Sequence, residues 1–365
     1  MSSLKYKSRV RYDRNYHFKS FFNGNTGFYL RSGVIGYKGE ETGIDPFMSS
    51  FPELIDVGIM ERCVCASKCK VDCYQRACDR TGENMSVDNF KRIVEECSAS
   101  GATMQFALGG AGDPDTHEHF EEILRICYDN NIVPNFTTSG IALTEEKAKL
   151  CKKYCGAVAV SDHNAEYTKK AVELLIKNGV KTNIHYVLSK KTIERAIDIL
   201  NGGAYYDNIN AIVFLLYKPV GLGKIENVLS PSNQEVQAFF KSVDTRKVKF
   251  KIGFDSCSCN GLINFSNNYN KNTIDYCEGG RFSMYISADM YAMPCSFANQ
   301  DSSWWYKLDE EHGIADAWNS QIFDKFRERL KYSCKGCKDR ENCGGGCPLL
   351  DTISLCHRAE KQVYR

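Results

Sequence analysis

The sequence predicts an α/β protein with a partial, TIM-like (β/α)6 barrel followed by a Cys-rich C-terminal domain. Three observations support this fold class. Short apolar runs alternate with amphipathic stretches from residue 51 to residue 245, the alternation then ends, and Cys, Gly and Asn dominate the remaining chain. Six βα units are too few for a closed eight-stranded barrel, so we expect an open barrel, with a flat doubly wound sheet as the alternative.

Residues 1–50 form a predicted N-terminal extension. The pair Asn23-Gly24 is typical of a β-hairpin turn. Basic residues alternate before this turn and would share one face of a strand: Lys5, Lys7, Arg9 and Arg11. We interpret this strand as a solvated edge strand that resists aggregation. The alternative is a basic strand that binds a peptide by strand addition.

The barrel region, residues 51–245, contains apolar runs that we predict to be parallel strands joined by right-handed crossovers. The predicted strands are residues 54–60, 103–108, 132–137, 157–160, 182–188 and 212–217. Helical periodicity fills the intervals between them. Ser86 can cap the first helix, and the apolar faces of the first two helices are Phe90, Ile93, Val94 and Cys97, then Phe120, Ile123, Leu124 and Cys127.

The remaining barrel helices are predicted from their end signals. Thr144 opens the third helix, and Asn178-Gly179 ends the fourth. The last two predicted helices are residues 193–200 and 232–243. Residues 246–365 follow as a separate predicted domain, which holds nine Cys and few apolar runs. We expect this domain to fold around metal.

Composition excludes several classes of protein. The chain has 365 residues, with 47 basic and 45 acidic side chains and a net charge of +2, so nothing indicates a nucleic-acid partner. No run of eighteen apolar residues is present, which argues against a membrane span. The first residues lack the apolar segment of a secretory signal, and we therefore expect a cytoplasmic protein.

Cysteine is unusually abundant, with 18 residues in the chain. In a reducing compartment, thiols at short spacings bind metal more often than they form disulfides. The first group directly follows the first predicted barrel strand: Cys63, Cys65, Cys69, Cys73 and Cys78. Loops at this end of barrel strands carry the chemistry of such folds. Thiolates suit iron–sulfur clusters, and zinc is the alternative.

A second group of cysteines lies in the C-terminal domain. It comprises the string Cys334-x2-Cys337-x5-Cys343-x3-Cys347, then Cys356, with Cys257, Cys259, Cys277 and Cys295 upstream. The glycines at 344–346 allow the backbone to wrap closely around a cluster. A zinc ribbon could use one set of four thiols, but two four-Cys cluster sites with one spare thiol account for the whole group better.

Together these motifs resemble the radical S-adenosylmethionine (SAM) enzymes that carry a C-terminal SPASM domain, over roughly residues 52–360. The segments FPELIDVGIM, ALGGAGDP and PNFTTSG are similar to those of enzymes that modify ribosomally made peptides (RiPP maturases). In the family a Gly precedes the ligand at Cys295, and Met290 replaces it here, which we expect to affect only the shape of the turn.

The resemblance implies three [4Fe–4S] clusters. The first auxiliary cluster would take Cys257, Cys277, Cys295 and Cys347, with Cys259 as an alternative to Cys257. The second would take Cys334, Cys337, Cys343 and Cys356. The SAM-binding cluster normally uses Cys-x3-Cys-x2-Cys, a string that this chain lacks; Cys63, Cys69 and Cys73 are preferred, with Cys65 as the alternative to Cys63. Three thiolates leave one iron free to bind the methionyl amine and carboxylate of SAM.

The resemblance also implies contacts to SAM along the barrel. Tyr74 pairs with the last ligand of the SAM cluster, and Gly109, Gly110 and Asp113 correspond to the motif that binds the methionyl amine. The remaining expected contacts are Thr138, Ser139, Ser161, Asn183 and Val220, the last in the adenine-contacting turn KPVGLG. Asn183 and His185 should face the barrel interior. Asp113 and His185 are the candidate catalytic residues. For ALGGAGDP alone, a Gly-rich turn is an equally good interpretation.

The function implied is that of an oxidoreductase. It would split SAM, generate a 5′-deoxyadenosyl radical and abstract hydrogen from a ribosomally made peptide, forming a thioether or carbon–carbon crosslink. The expected partners are the peptide, an electron donor such as flavodoxin or ferredoxin, and a separate leader-binding protein. The alternatives are a sulfatase-type maturase that forms formylglycine, a radical SAM dehydrogenase, and, in a different class, a zinc-stabilised binding module without catalytic activity.

Overall fold

A computed structural model describes residues 5–69 and 71–357. Its strands are β1 (Arg9–Asp13), β2 (Phe18–Asn23), β3 (Phe28–Arg31), β4 (Leu54–Met60), β5 (Gln105–Gly110), β6 (Val133–Thr138), β7 (Val158–Ser161), β8 (Thr182–Leu188), β9 (Ala211–Leu216), β10 (Lys251–Phe254), β11 (Ser283–Ile286), β12 (Tyr291–Met293) and β13 (Tyr306–Lys307). Its α-helices are α1 (Val87–Ser100), α2 (Phe120–Asp129), α3 (Glu145–Tyr154), α4 (Ala165–Lys177), α5 (Ile193–Leu200), α6 (Gln234–Asp244), α7 (Cys259–Phe265), α8 (Ile314–Trp318), α9 (Gln321–Tyr332) and α10 (Arg340–Cys343).

The main sheet has the strand order β10-β9-β8-β7-β6-β5-β4-β11-β12-β13. Strands β4 to β10 are parallel to their neighbours. Thr137 on β6 and His185 on β8 hydrogen-bond at 3.0 Å across the intervening β7, so both side chains lie on the same, concave face. The six predicted βα units thus correspond to β4–α1 through β9–α6.

The barrel helices form where helical periodicity indicates. The Ser86 hydroxyl accepts a hydrogen bond from the Asn89 backbone and caps α1, and the predicted apolar residues of α1 and α2 are all buried. Thr144 caps α3 in the same manner. Each helix covers the outer face of the sheet with one apolar stripe, which leaves the polar residues of the strands on the inner face.

The C-terminal residues differ from the expectation of a metal-dependent region with little apolar core. Strand β10 adds to β9, and β11 adds in parallel to β4, so this part of the chain extends the barrel sheet on both sides. Trp318 and Phe323 are fully buried in the main core, and Phe326 lies in a smaller cluster with Trp304. The helical spacing of Phe323 and Phe326 in α9 is the sequence signal that the expectation overlooked.

The N-terminal residues form a small antiparallel sheet, β1-β2-β3, and the predicted hairpin joins β2 to β3. Its basic side chains are not all solvated. Arg9 donates to the carbonyls of Gly101 and Thr103, and Lys5 donates to those of Lys152 and Cys155. These carbonyls lie near the amino ends of barrel strands. The basic residues therefore attach the small sheet to the barrel, at the end opposite to the strands' carboxyl ends.

No helix within residues 5–69 and 71–357 combines the length and the apolar composition that a membrane crossing requires.

Candidate active site

Loops that follow the parallel strands meet at the carboxyl-terminal end of the barrel. They are residues 61–69 and 71–86 after β4, 111–119 after β5, 139–144 after β6, 162–164 after β7, 189–192 after β8 and 217–233 after β9. Almost all sequence-predicted SAM-site residues lie on these loops or at the adjoining strand ends. Enzymes with barrels of this kind place their chemistry at this end.

The loop after β4 gathers cysteine side chains. Burial raises the pKa of the Cys63 thiol, and the nearby Cys69 and Cys73 raise it further. Burial also raises the pKa of Cys69, and Cys73 adds to this shift. Cys65 is buried instead, and its thiol hydrogen-bonds to Ser139 on the loop after β6. Cys63, Cys69 and Cys73 thus lie within range of one another's charge, while Cys65 lies near both Cys63 and Ser139.

The Gly-rich loop after β5 packs against the start of the cysteine-containing loop after β4, which we call the Cys loop. Gly110 has φ +112°, and a Cβ atom there would lie 2.2 Å from the Met60 carbonyl oxygen. The Asp113 carboxylate accepts hydrogen bonds from the Ser139 amide, at 3.0 Å, and from its hydroxyl. Burial raises the pKa of Asp113 to about 6, and the charge of Asp115 adds to this effect. Gly109 has open space where a side chain would extend.

The turn after β9 touches the Cys loop from the other side. The Leu222 amide donates to the Cys73 carbonyl at 3.0 Å, and a Cβ atom at Gly221 would lie 2.2 Å from the Tyr74 carbonyl oxygen. Val220 lies in this turn, half-buried. The predicted adenine-contacting turn and the predicted cluster loop are therefore directly packed together.

Replacing Gly221 with Ala should weaken SAM binding at least about tenfold. The backbone at Gly221 is left-handed, with φ +67°, and the added methyl group would displace the loop that carries Cys73. A strained residue of this kind costs of order 1–3 kcal/mol, and 1.4 kcal/mol corresponds to tenfold in affinity. Gly39→Ala is the matched control, because Gly39 has φ +83° but nothing within 4 Å of its Cβ position. Equal SAM dissociation constants for the two variants would contradict the packing role.

The inner face of the barrel is polar. His185 Nδ1 pairs with the Thr137 hydroxyl at 3.0 Å, and burial lowers the pKa of His185 to about 4, so the ring is neutral at pH 7. The Asn183 side-chain Oδ1 accepts a hydrogen bond from the Asn210 side-chain amide at 2.7 Å. Asn183 is the second residue of β8, and this contact therefore lies near the amino end of the strand.

Two other predicted SAM contacts lie at strand ends. Ser161 ends β7 and pairs in register with His185. Thr138 is fully buried, and its hydroxyl accepts a hydrogen bond from the Gly140 amide at 3.0 Å. The Thr138 side chain therefore stabilises the start of the loop after β6 from its buried side. The side chain of the neighbouring Thr137 lies on the inner face of the barrel.

Asp56 is a site residue that sequence reasoning missed. It lies on β4, half-buried, in register with Ala107 on β5 and Tyr285 on β11. Among the described residues, its carboxylate has no hydrogen bond or ion pair. Burial raises its pKa to about 7, and the charge of Glu278 adds to this shift. The alternation along β4, in which Asp56 interrupts apolar residues, is the signal that could have identified it.

Asp56→Asn should be more stable than the native chain, and its advantage should grow with pH. A carboxyl group whose folded-state pKa is raised stabilises the fold only while protonated, so stability is lost as pH rises from about 4 to about 7. The neutral amide avoids this loss, and we expect a gain of about 1–3 kcal/mol at pH 8 that shrinks toward pH 4. Thermal unfolding of both proteins at pH 5 and pH 8 measures it. An advantage independent of pH would contradict the assignment.

The C-terminal cysteines assemble into two groups. Cys257 shares a side-chain hydrogen bond with Cys347, which raises its pKa together with burial. Burial raises the pKa of Cys295 to about 12, and the charge of Cys257 adds to it. Burial also raises the pKa of Cys277, with contributions from Cys257 and Cys295. These four thiols, distant in sequence, therefore lie together.

The second group surrounds Cys343. Burial raises the pKa of this thiol to about 11, and the nearby Cys356, Cys334 and Cys337 raise it further. Cys259 lies at the edge of this group, where its thiol donates to the Asn342 carbonyl at 3.4 Å. Cys257 and Cys259 thus face different groups, and it is Cys257 that contacts Cys347.

The turn before Cys295 holds Met290 in a backbone conformation that favours glycine. Met290 has φ +64°, so a bulky residue occupies the left-handed conformation that glycine adopts without cost. The Met290 amide donates to the Ser287 carbonyl at 3.0 Å, and its side chain is buried in the main core. The replacement therefore leaves backbone strain at one residue, and its effect on the shape of the turn stays a prediction.

Within the described residues, no three His, Cys, Asp or Glu side chains converge as ligands of a single metal ion. A four-iron cluster makes a different demand, because each thiolate binds a different iron and the sulfur atoms surround a larger volume. Two four-thiol groups and a three-thiol loop suit that arrangement in donor number and donor chemistry.

The Cys loop and the C-terminal domain touch through aromatic and amide side chains. The rings of Tyr74 and Phe297 lie 4.6 Å apart, and Asn299 donates to the Gln75 side-chain carbonyl at 2.9 Å. Phe297 and Asn299 follow Cys295 by only a few residues. This contact places the three-thiol loop and the Cys257 group on adjoining parts of the protein.

Comparisons with known proteins agree with this architecture. Residues 277–339 match the family model described as SPASM, an iron-sulfur cluster-binding domain. The PqqA peptide cyclase of Bradyrhizobium diazoefficiens is 22% identical over 290 residues, which cover 74% of each protein. The matched SPASM segment includes Cys277, Cys295, Cys334 and Cys337.

Two solved structures share the fold. Streptococcus suis SuiB bound to the precursor peptide SuiA has a TM-score of 0.64 at 16% identity, over 85% of this chain and 77% of that chain. The protein anSMEcpe with bound AdoMet and Kp18Cys peptide has a TM-score of 0.64 at 18% identity, over 86% of this chain and 96% of that chain. The predicted fold class, an α/β partial barrel with a C-terminal SPASM domain, is confirmed.

Proposed function

We propose that this protein is a radical SAM peptide maturase, an oxidoreductase that forms a thioether or carbon–carbon crosslink in a ribosomally made peptide. The observation that carries the proposal is the three-thiol loop after β4, packed between the Gly-rich loop after β5 and the turn after β9. The SPASM match and the similarity to the PqqA peptide cyclase support it. The peptide-bound SuiB and anSMEcpe structures support a peptide as substrate.

Three [4Fe–4S] clusters form part of the proposal. Cys63, Cys69 and Cys73 would hold the SAM-binding cluster, and the contacts of Cys65 with Ser139 favour Cys63 as its first ligand. The first auxiliary cluster would use the group around Cys257, and the second the group around Cys343. Bound to a reduced cluster, SAM supplies a 5′-deoxyadenosyl radical.

The chain's own residues would bind and orient SAM and the peptide. Gly109 leaves backbone groups accessible, and Asp113 fixes the loop after β6 through Ser139. Neutral His185 can exchange a hydrogen bond with a bound group on the inner face, while Asp56 offers an unpaired carboxylate there. Asp113 and His185 are therefore retained as candidate catalytic or binding residues, and the structure adds Asp56 as a third candidate.

The domain division 1–50, 51–245 and 246–365 belongs to the same proposal, with the C-terminal part attached to both sides of the barrel sheet. The electron donor would be a flavodoxin or a ferredoxin. A separate protein would present the leader of the peptide.

Co-expression with each short reading frame beside its gene, followed by mass spectrometry of the peptide, tests this function. A crosslink predicts the loss of two hydrogen atoms and fragment ions that stay joined between the linked residues. Formylglycine would instead appear as an aldehyde that reacts with a hydrazide, and would favour the sulfatase-type alternative. A peptide unchanged in mass beside colourless, zinc-loaded protein would favour the binding module.

A further inference from the structure

Strand β10 forms an unpaired edge of the main sheet. Among the described residues it pairs only with β9, and the Asp255 amide that follows it donates to the Phe214 carbonyl at 3.0 Å. Backbone groups alternate in direction along a parallel strand, so Gly253 also bonds toward β9. The N–H and C=O groups of Ile252 and Phe254 therefore point away from β9. Within the part of the chain that the structure describes, these four groups have no hydrogen-bond partner.

A groove of about 580 Å³ borders this edge. Residues 252–256 form one of its walls, and the segment 266–278 after α7 contributes most of the opposite wall. Ligand-binding sites commonly have volumes in this range. Unpaired backbone groups beside an open groove are the arrangement to which an extended peptide adds as a further strand.

The middle residue of this edge is a glycine in a row that crosses the inner face of the barrel. Ser161 on β7, His185 on β8, Val213 on β9 and Gly253 on β10 are successive partners in register. A Cβ atom at Gly253 would lie 3.7 Å from Val213 Cγ2, an ordinary contact, so packing does not require glycine there. A glycine inside a strand often marks the close approach of a ligand or another backbone. Here it leaves space beside the unpaired edge, in line with two proposed site residues.

The groove exposes carboxylates more than cations. Asp275 and Glu278 line it with side chains 33% and 37% exposed, whereas Arg31, which pairs with both, is 15% exposed and does not line it. Asp255 likewise lines the groove, and its partner Lys218, 2.7 Å away, is 4% exposed behind it. A neutral or basic peptide segment therefore suits this groove better than an acidic one.

We propose that an extended segment of the substrate peptide adds to β10 as a further strand, with one of its side chains beside Gly253. The inference rests on the proposed function, in which the substrate is a ribosomally made peptide. The backbone groups of Ile252 and Phe254 would bind the peptide backbone, which gives affinity without requiring particular side chains. The register would then decide which peptide residue enters the row that contains His185.

The first test is the KM for the unmodified precursor peptide that co-expression identifies as the substrate. Gly253→Val should raise this KM at least about tenfold, because the new side chain fills the space beside the edge and displaces peptide hydrogen bonds. Valine suits a strand, and thermal unfolding of the holoprotein checks that the variant is folded. Lys251→Val is the matched control with an expected native KM, because it adds valine to the same face of β10 outside the groove lining.

Hydrogen exchange gives a second measurement that needs no variant. The holoprotein with SAM but without reductant is compared in the absence and presence of the same peptide, so that no turnover occurs. The amides of Ile252 and Phe254 should exchange at least about tenfold more slowly with peptide, whereas that of Gly253, already paired with β9, should change little. This alternation is the signature of strand addition, and a purely structural role of Gly253 would not produce it.

An unchanged KM in folded Gly253→Val, or unchanged exchange at Ile252 and Phe254, would overturn the inference. If the variant unfolds, the exchange measurement decides alone. Slow exchange of these amides without peptide, which becomes fast when residues 358–365 (RAEKQVYR) are removed, would assign the groove to the chain's own end and also overturn it. Failure of the proposed function would look different: the native protein would modify none of the co-expressed peptides, and the inference would fall with it.

Discussion

Alanine at Cys69 or Cys73 should abolish the cleavage of SAM, with activity falling below about one per cent of the native protein. Two thiolates cannot hold a four-iron cluster as three do, and the methyl group of alanine offers no ligand in their place. Both residues lie in the loop where Cys63, Cys69 and Cys73 approach one another. The C-terminal thiol groups are separate, and iron content should therefore fall by only about a third.

Cys63 and Cys65 provide a matched pair in the same experiment. Cys63→Ala should lose SAM cleavage as completely as Cys69→Ala, because the Cys63 thiol lies beside Cys69 and Cys73. Cys65→Ala should retain most of it, since that thiol is buried against Ser139. Activity that survives in Cys63→Ala and disappears in Cys65→Ala would reverse the assignment.

Removal of the clusters should unfold residues 331–357 locally and leave the barrel sheet folded. In this segment only Gly344, Ile353 and Leu355 are buried, so metal ligation must offset the entropy of ordering its chain. By contrast, β11 is paired with β4 and packed in the main core. Hydrogen exchange measures the difference: we expect at least about tenfold faster exchange in 331–357 and little change in β11.

Native protein carrying its clusters is the reference for this measurement, and α9 supplies an internal control because Phe323, Phe326 and Leu330 bury its inner face. Uniform loss of protection across residues 246–357 would show that the clusters hold the entire domain. Unchanged protection in 331–357 would show that the segment does not depend on metal.

Local patterns predicted the barrel well. The apolar faces of α1 and α2, and the caps at Ser86 and Thr144, depend on residues within a few positions of one another. The assignment of the thiols to three clusters stays a prediction from their spacing and chemistry. The prediction of a solvated basic edge strand was wrong in part. Arg9 and Lys5 donate hydrogen bonds to backbone carbonyls of the barrel, and no local pattern of charges predicts such contacts.

Contacts between distant segments were not predictable from one sequence. The pairing of β11 with β4 joins residues far apart in the chain. Because of it, part of the region that we expected to fold around metal extends the barrel sheet instead. Asp56 looks like an ordinary polar residue in a strand, and only the folded sheet places it on the inner face without a partner. The ion pair of Lys218 with Asp255 likewise depends on two strands ending side by side.

The most direct test of the central proposal is the product formed from SAM. Anaerobically reconstituted and reduced protein, incubated with SAM, should release 5′-deoxyadenosine and methionine, and it should contain about twelve irons per chain for three four-iron clusters. Cys73→Ala, under the same conditions, should release neither product. S-adenosylhomocysteine as the sole product, or a colourless protein that holds only zinc and leaves SAM intact, would contradict the account.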